Sequence, residues 1–270
     1  MPKIRTFIFD LDGTLLHTLP DLVEVTNTAL EHFGYPTHTT EEILSYVGNG
    51  LRALMVQAVP AGTNEQDTQK ALDYWKITHE KIAGKNTHPF PGIPETCAEL
   101  RKAGCKLAVL SNKYDGGTKQ IMDSKMPGAF DAIHGEGPGF PRKPDTTGLL
   151  KTMEELGAEA STTAYVGDSP SDIETALAAG VLAVGLNWGY HAPEELMEAG
   201  AQFMLDSAED LLKLLSVAWH AAWARPKPAR PTRPTGPHRA GARWFRPRPL
   251  RCAPSEWPPS NGAGRDWCAA

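Results

Sequence analysis

Asp10 and Asp12 stand two residues apart, immediately after a run of apolar and aromatic residues at positions 4–9. Such a run predicts a buried strand that ends in a turn. The spacing allows both carboxyl groups to face one acidic site at the strand end, suited to catalysis or metal binding. Because Asp-Gly is also a common turn pair, a solvated acidic turn is the alternative.

Asp168 and Asp172 follow a second apolar run at positions 162–166 and would add two carboxylates to the same site. Like charges a few ångströms apart repel by about 4 kcal/mol at intermediate dielectric, so a cation should balance them. Oxygen ligands without a His or Cys cluster favour a hard ion, and a substrate phosphate would favour Mg²⁺. The alternative is that Asp168 or Ser169 caps a helix predicted at 170–179.

Ser111, Asn112 and Lys143 are the neutral and basic candidates. Ser111 and Asn112 follow a third apolar run, residues 106–110, and offer a hydroxyl and an amide at the same edge, although a helix-capping turn would also use them. Lys143 lies between two prolines before a predicted helix, where its ammonium group could hold a phosphoryl oxygen. A solvated loop lysine is the alternative.

The elements that must position these residues alternate between strand and helix. Predicted strands cover residues 4–9, 106–110, 162–166 and 181–186, with a weaker candidate at 129–134. Predicted helices between them cover about 92–104, 117–125, 145–157, 170–179, 192–199 and 207–216. This alternation predicts an α/β fold, a Rossmann-like doubly wound parallel sheet. Ligands bind beyond the carboxyl ends of such strands, where the polar residues fall.

A helical segment interrupts this pattern after the first strand. Residues 16–88 contain four predicted helices, at about 20–33, 40–46, 50–59 and 65–84. They predict a small cap domain over the strand ends, with residues 1–15 plus 89–216 forming the catalytic core. Within the cap, Gly48 and Gly50 could let backbone amides approach a substrate, and Arg52 could pair with a substrate carboxylate. A solvated arginine is the alternative for Arg52, and Lys113 is similarly weak as a candidate.

The remaining composition bounds the class of protein. The net charge of −5 hides a tail, residues 219–270, with ten basic and two acidic residues, which leaves −13 on residues 1–218. An acidic body disfavours nucleic-acid binding. The Pro- and Arg-rich tail is predicted to be disordered, as a basic tether or an unrelated coding extension. Four cysteines without a framework fit the cytoplasm, and neither an export signal nor a membrane span is predicted.

Four segments in order resemble the haloacid dehalogenase superfamily: Asp-Leu-Asp-Gly-Thr-Leu from residue 10, Ser-Asn-Lys from 111, Arg-Lys-Pro from 142 and Gly-Asp-Ser-Pro-Ser-Asp from 167. Within it the chain looks most like the phosphoglycolate phosphatase group, through residues 47–50, 188–190, 194–196 and 199–201. Relatives often have Asp-Ser where this chain has His17-Thr18, which leaves the hinge into the cap open.

The resemblance implies a role for each matching residue. Asp10 would be the nucleophile and Asp12 the acid and base, starting protonated because of its acidic neighbours. Ser111 and Lys143 would hold the phosphoryl oxygens. Mg²⁺ would bind Asp10, the backbone carbonyl of Asp12, and Asp168, with Asp172 supporting the metal or orienting the lysine.

The expected activity is hydrolysis of a small phosphate monoester, 2-phosphoglycolate first, by a monomer or homodimer. Phosphosugar phosphatases or mutases and pyrophosphatases of the same superfamily are the enzyme alternatives. A catalytically silent phosphate- or metal-binding regulatory module is the alternative of another class. Neither nucleic acid nor membrane is an expected partner.

Overall fold

A six-stranded sheet lies at the centre of the computed structural model, which describes residues 3–82 and 84–217. The strands of the described chain are β1 (Thr6–Phe9), β2 (Leu16–His17), β3 (His88–Pro89), β4 (Lys106–Tyr114), β5 (Ala132–Glu136), β6 (Thr163–Gly167), β7 (Leu182–Leu186) and β8 (Phe203–Leu205). The sheet order is β5-β4-β1-β6-β7-β8, and every neighbouring pair is parallel. Strand β1 is therefore central, and its carboxyl end lies between those of β4 and β6.

Helices cover both faces of this sheet because side chains alternate along each strand. The helices are α1 (Leu19–His32), α2 (Thr40–Tyr46), α3 (Gly50–Ala58), α4 (Glu65–Ile82), α5 (Ile93–Lys102), α6 (Asp115–Lys125), α7 (Thr147–Leu156), α8 (Pro170–Ala178) and α9 (Pro193–Ala199). Phe7 and Phe9 share an apolar cluster with α5 and α6, whereas Ile8 packs with α7, α8 and α9. The predicted doubly wound α/β fold is confirmed.

Helices α1 to α4, called here the helical insertion (residues 19–82), have an apolar cluster of their own. Trp75 is buried at its centre and donates a hydrogen bond from Nε1 to Thr26 Oγ1 at 3.0 Å. The short strands β2 and β3 pair antiparallel and carry the chain into and out of the insertion. The division into a core, residues 1–15 plus 89–216, and a cap, residues 16–88, stays a prediction.

Asp21 fixes the returning end of the insertion. Its buried carboxylate accepts hydrogen bonds from the backbone N–H groups of Gly84, Asn86 and Thr87, at 2.8, 2.8 and 3.0 Å, and from Thr87 Oγ1 at 2.6 Å. Burial opposes ionisation, but these donors outweigh it and lower the pKa of Asp21. Helix α1 is thus tied to the segment that follows α4 and leads into β3.

The structure differs from the sequence prediction in several elements. Strand β4 continues to Tyr114, four residues beyond the predicted end, and β2, β3 and β8 were not predicted. The weak strand candidate at 129–134 corresponds to β5, which begins three residues later than predicted. The predicted helix at 207–216 is a 3-10 helix, Ala208–Ser216.

Three further features are the cysteines, the helices as candidates for a membrane span, and the tail. Cys97 and Cys105 are buried free thiols, and burial raises the pKa of Cys97 to about 12, so it is an apolar core residue rather than a nucleophile. No helix among the described residues has the length and apolar character that crossing a bilayer requires. The predicted disorder of 219–270 lies outside the described residues.

Candidate active site

Asp10 lies directly after β1, at the carboxyl edge of the sheet. Its backbone N–H donates to Val166 O at 2.9 Å, which continues the pairing of β1 with β6. Its carboxyl group is buried, and Oδ1 lies 3.0 Å from Lys143 Nζ. The two groups form an ion pair, but Oδ1 accepts no hydrogen bond from the described residues. This oxygen is therefore available to an electrophile or a cation.

Lys143 is held between two carboxylates. Its buried Nζ donates to Asp172 Oδ1 at 2.7 Å and lies beside Asp10 on its other side. Burial opposes the charged form, but Asp10 and Asp172 outweigh it and raise the pKa of Lys143 well above its usual range. The ammonium group is thus a permanent positive charge next to Asp10.

Asp168 is held at the end of β6 by two donors. Thr14 Oγ1 donates to its Oδ1 at 2.9 Å, and the backbone N–H of Tyr190 donates to its Oδ2 at 2.8 Å. Burial and the neighbouring Asp10 and Asp172 raise the pKa of Asp168 to about 8. Burial likewise raises the pKa of Asp10 to about 6, although Lys143 opposes the shift.

Asp10, Asp168 and Asp172 each offer a carboxylate oxygen within 4.8 Å of the others. These donors, with the unpartnered Asp10 Oδ1, fit a hard divalent cation. Gly13 leaves room for the carboxyl group of Asp168, because a Cβ on residue 13 would lie 2.2 Å from Asp168 Oδ2. The φ of Gly13, +80°, also favours glycine. The site can therefore concentrate a cation, a nucleophilic carboxylate and an ammonium group.

Asp172 is less free than the other two acids. Its Oδ1 bonds Lys143, and its Oδ2 accepts from Ser169 N at 3.0 Å and from Ser169 Oγ at 2.7 Å. Ser169 is the N-cap of α8, so the alternative that Ser169 caps this helix holds. Of the predicted metal residues, Asp12 contributes no carboxylate to the cluster of three.

Ser111 and Asn112 lie within the extended end of β4. Both are buried and line a pocket with Asp10, Asp12 and Lys143. The amide of Asn112 is already used: Nδ2 donates to Gly48 O at 2.9 Å, and Oδ1 accepts from Lys143 N at 2.7 Å. The side chain of Asn112 thus joins the helical insertion to the backbone of Lys143, and its predicted contact with substrate stays a prediction.

The insertion closes the other side of the pocket, where Gly48 and Gly50 contribute to the lining. A Cβ on Gly50 would lie 2.5 Å from Glu136 Oε2, which itself pairs with Arg142. Gly50 thus permits close contact between insertion and core, in addition to lining the predicted substrate space.

Arg52 does not reach the pocket. It is half-exposed and pairs with Glu65 and Gln69 of α4. Leu51 and Leu54, three residues apart on the same helix, line the pocket instead. Residues three apart share one helix face, and the side chain of Arg52 is engaged with α4 instead. The predicted substrate contact of Arg52 stays a prediction.

Several lining residues were not predicted as site residues. Lys113, considered weak from the sequence, is buried, and its Nζ lies 3.4 Å from Asp12 Oδ1. Tyr190 lines the pocket, and its hydroxyl accepts from the backbone N–H groups of Thr18 and Leu19 at 2.8 and 3.0 Å. Tyr190 therefore links Asp168 to the start of the insertion. The sequence signal for Tyr190 was its place in the segment 188–190, one of those that carry the family resemblance.

The chain is similar in sequence to a known family of hydrolases. Residues 7–186 match the family model of haloacid dehalogenase-like hydrolases. A phosphoglycolate phosphatase of Pseudomonas syringae pv. tomato is 32% identical over 218 residues, 78% of this chain and 79% of that protein. That of Aquifex aeolicus is also 32% identical, over 78% of this chain and 97% of its own.

Solved structures agree with the sequence relatives. A crystal structure from Haemophilus somnus, described as a predicted phosphoglycolate phosphatase, superposes with a TM-score of 0.74 at 26% identity. The match covers 79% of this chain and 99% of that one. All ten predicted site residues lie inside the matched range 7–186.

Proposed function

The chain belongs to the haloacid dehalogenase-like hydrolases, and we propose that it is a Mg²⁺-dependent phosphatase that hydrolyses 2-phosphoglycolate through an aspartyl-phosphate on Asp10. The observation that carries the proposal is Asp10 Oδ1, a buried oxygen without a hydrogen bond, 3.0 Å from a buried ammonium group. A carboxylate so placed can attack a phosphorus atom whose oxygens face Lys143.

In the first half-reaction, an oxygen of Asp10 forms a bond to phosphorus while the bond to the bridging oxygen breaks. Asp12 gives its proton to that oxygen, and glycolate leaves. In the second half, Asp12 takes a proton from water as the water oxygen attacks phosphorus. Inorganic phosphate forms and the Asp10 carboxylate returns. Ser111 and Lys143 hold the non-bridging oxygens of the phosphoryl group in both steps.

Asp10 and Asp168 would hold the cation, together with the backbone carbonyl of Asp12, while Asp172 positions Lys143. When bound, the cation neutralises charge that develops on the phosphoryl oxygens. The raised pKa values of Asp10, about 6 even with Lys143 beside it, and of Asp168, about 8, support this assignment, since a bound cation would offset the cost of ionising both carboxyl groups.

The choice of substrate is supported by the relatives, whose names state phosphoglycolate phosphatase. The insertion encloses the pocket through Gly48, Leu51 and Leu54, which favours a small ester over a large one. The alternatives in the same superfamily have no observation in their favour. A cytoplasmic location and a monomeric or dimeric state stay predictions.

A panel of phosphate monoesters tests the proposal. With Mg²⁺ present, 2-phosphoglycolate should give the highest kcat/KM among itself, phosphosugars and pyrophosphate. Asp10→Asn should abolish hydrolysis of all of them, whereas Asp67→Asn, a change of the same kind at an exposed surface ion pair, should not. A clear preference for a phosphosugar or pyrophosphate would refute the substrate, and turnover by Asp10→Asn would refute the mechanism.

A further inference from the structure

Two ammonium groups line the pocket among its described residues, those of Lys143 and Lys113. Lys143 lies between Asp10 and Asp172, so two carboxylates already balance its charge. The nearby Arg142 is paired with Glu136 through two nitrogens of its guanidinium group, Nε and Nη2. The proposed mechanism therefore leaves one pocket cation without a role, Lys113.

Lys113 is poorly satisfied where it lies. Its side chain is 5% exposed, so little water reaches the ammonium group. Its contact with Asp12 Oδ1 is 3.4 Å, whereas hydrogen bonds between charged groups are typically about 2.7–2.9 Å. Among the described residues this is the one ion pair of Lys113, so its buried ammonium group can accept a further anionic partner.

The position of Lys113 beside Asp12 identifies that partner. Asp12 is the residue proposed to protonate the bridging oxygen, so a group next to Asp12 faces the leaving alcohol. In 2-phosphoglycolate the carboxylate is joined to the bridging oxygen through a single methylene. We infer that Lys113 binds the substrate carboxylate and thereby selects phosphorylated acids over phosphate esters of neutral alcohols. The inference rests on the proposed function.

The surroundings hold Lys113 firmly in place. The preceding residue, Asn112, is bonded to Gly48 of the insertion at 2.9 Å. The next residue, Tyr114, has its hydroxyl 2.9 Å from Nδ1 of the buried His79 on α4. The residues on both sides of the lysine are therefore anchored to the insertion, which limits its movement as a specificity residue requires.

The test compares two substrates on one enzyme sample. The kcat/KM values for 2-phosphoglycolate and ethyl phosphate, an ester with a neutral alcohol, are measured for the full chain with Mg²⁺. Lys113→Gln should lower the ratio of the two values by roughly 10- to 100-fold, the range for a hydrogen bond between charged groups. Lys113→Arg, which keeps the charge, should restore part of that ratio. Because both values come from one sample, partial misfolding does not change their ratio.

Lys119→Gln is the matched control, since Lys119 is half-exposed and pairs with Asp115. It should leave the ratio at its wild-type value. A wild-type enzyme that prefers 2-phosphoglycolate, together with a Lys113→Gln ratio within twofold of wild type, would overturn the role of Lys113 alone. A wild-type enzyme with no preference over ethyl phosphate would overturn both this role and the proposed substrate.

Discussion

Replacing Asp168 with Asn should stabilise the metal-free protein while it removes activity. In the folded chain, burial and the acids Asp10 and Asp172 raise the pKa of Asp168 to about 8. In the unfolded chain its pKa should return to about 3.9. The wild type must therefore bind a proton at this group on folding at neutral pH, and the variant is free of that requirement.

The magnitude follows from the two pKa values of Asp168. About three pH units separate the unfolded value from pH 7, and each unit is worth about 1.4 kcal/mol, so the ionisable group costs about 4 kcal/mol. An Asn amide would oppose one donor, Thr14 Oγ1 or Tyr190 N, at a cost of about 1–3 kcal/mol. The expected net gain for Asp168→Asn is thus about 1–3 kcal/mol.

The stability difference between Asp168→Asn and wild type should increase with pH. A carboxyl pKa that is raised in the folded state costs nothing below about pH 4, where both states are protonated, and the cost grows until about pH 8. The advantage of Asp168→Asn over wild type should therefore increase by about 1.4 kcal/mol per pH unit within that window.

Urea unfolding in EDTA, followed by circular dichroism, measures these differences. Excess Mg²⁺ should then stabilise wild type and leave Asp168→Asn unchanged. Asp172→Asn provides the contrast, because Lys143 and Ser169 use both of its oxygens, so this variant should lose about 3–5 kcal/mol. If Asp168→Asn were less stable than wild type in EDTA at neutral pH, Asp168 would not be a costly buried acid. If Mg²⁺ stabilised the variant as much as wild type, Asp168 would not be a metal ligand.

Three further outcomes are expected. Asn112→Ala should cost about 1–3 kcal/mol of unfolding free energy in denaturant titrations and lower kcat, because it leaves Gly48 O and Lys143 N unpaired; wild-type kcat would contradict this. Gly50→Ala should raise KM several-fold, since the new Cβ would lie 2.5 Å from Glu136 Oε2 at a φ of +75°; an unchanged KM would show that this contact does not matter. Truncation after residue 218 should preserve kcat/KM and Tm, given the tail's Pro- and Arg-rich composition, and a large drop in either would make the tail part of the working structure.

Strand ends were predictable because their signals are local. The apolar run before Asp10 and the one before Asp168 each mark a strand and its end within a few residues. Parallel strands share one edge, so four separate segments could be assigned to a single site. The short edge strand β8, Phe203–Leu205, is only three residues long and has one buried residue, so it lacked such a signal.

Side-chain partners could not be predicted in the same way. Whether Asn112 faces substrate or protein depends on Gly48, which is 64 residues away in the chain. Arg52 was assigned to substrate from its residue type, but its direction depends on the helix face buried by Leu51 and Leu54 and on its partner Glu65. Lys113 looked like a surface lysine until β4 proved to extend past residue 110 and bury it.

Formation of an aspartyl-phosphate on Asp10 can be detected by mass spectrometry. The enzyme is quenched in acid during turnover of 2-phosphoglycolate with Mg²⁺, digested, and its peptides are analysed by mass spectrometry. We expect a phosphoryl group on the peptide that contains Asp10, removed by hydroxylamine as expected of an acyl phosphate, and absent from Asp10→Asn. Rapid turnover with no phosphoryl group on Asp10, or with one on another residue, would contradict this expectation.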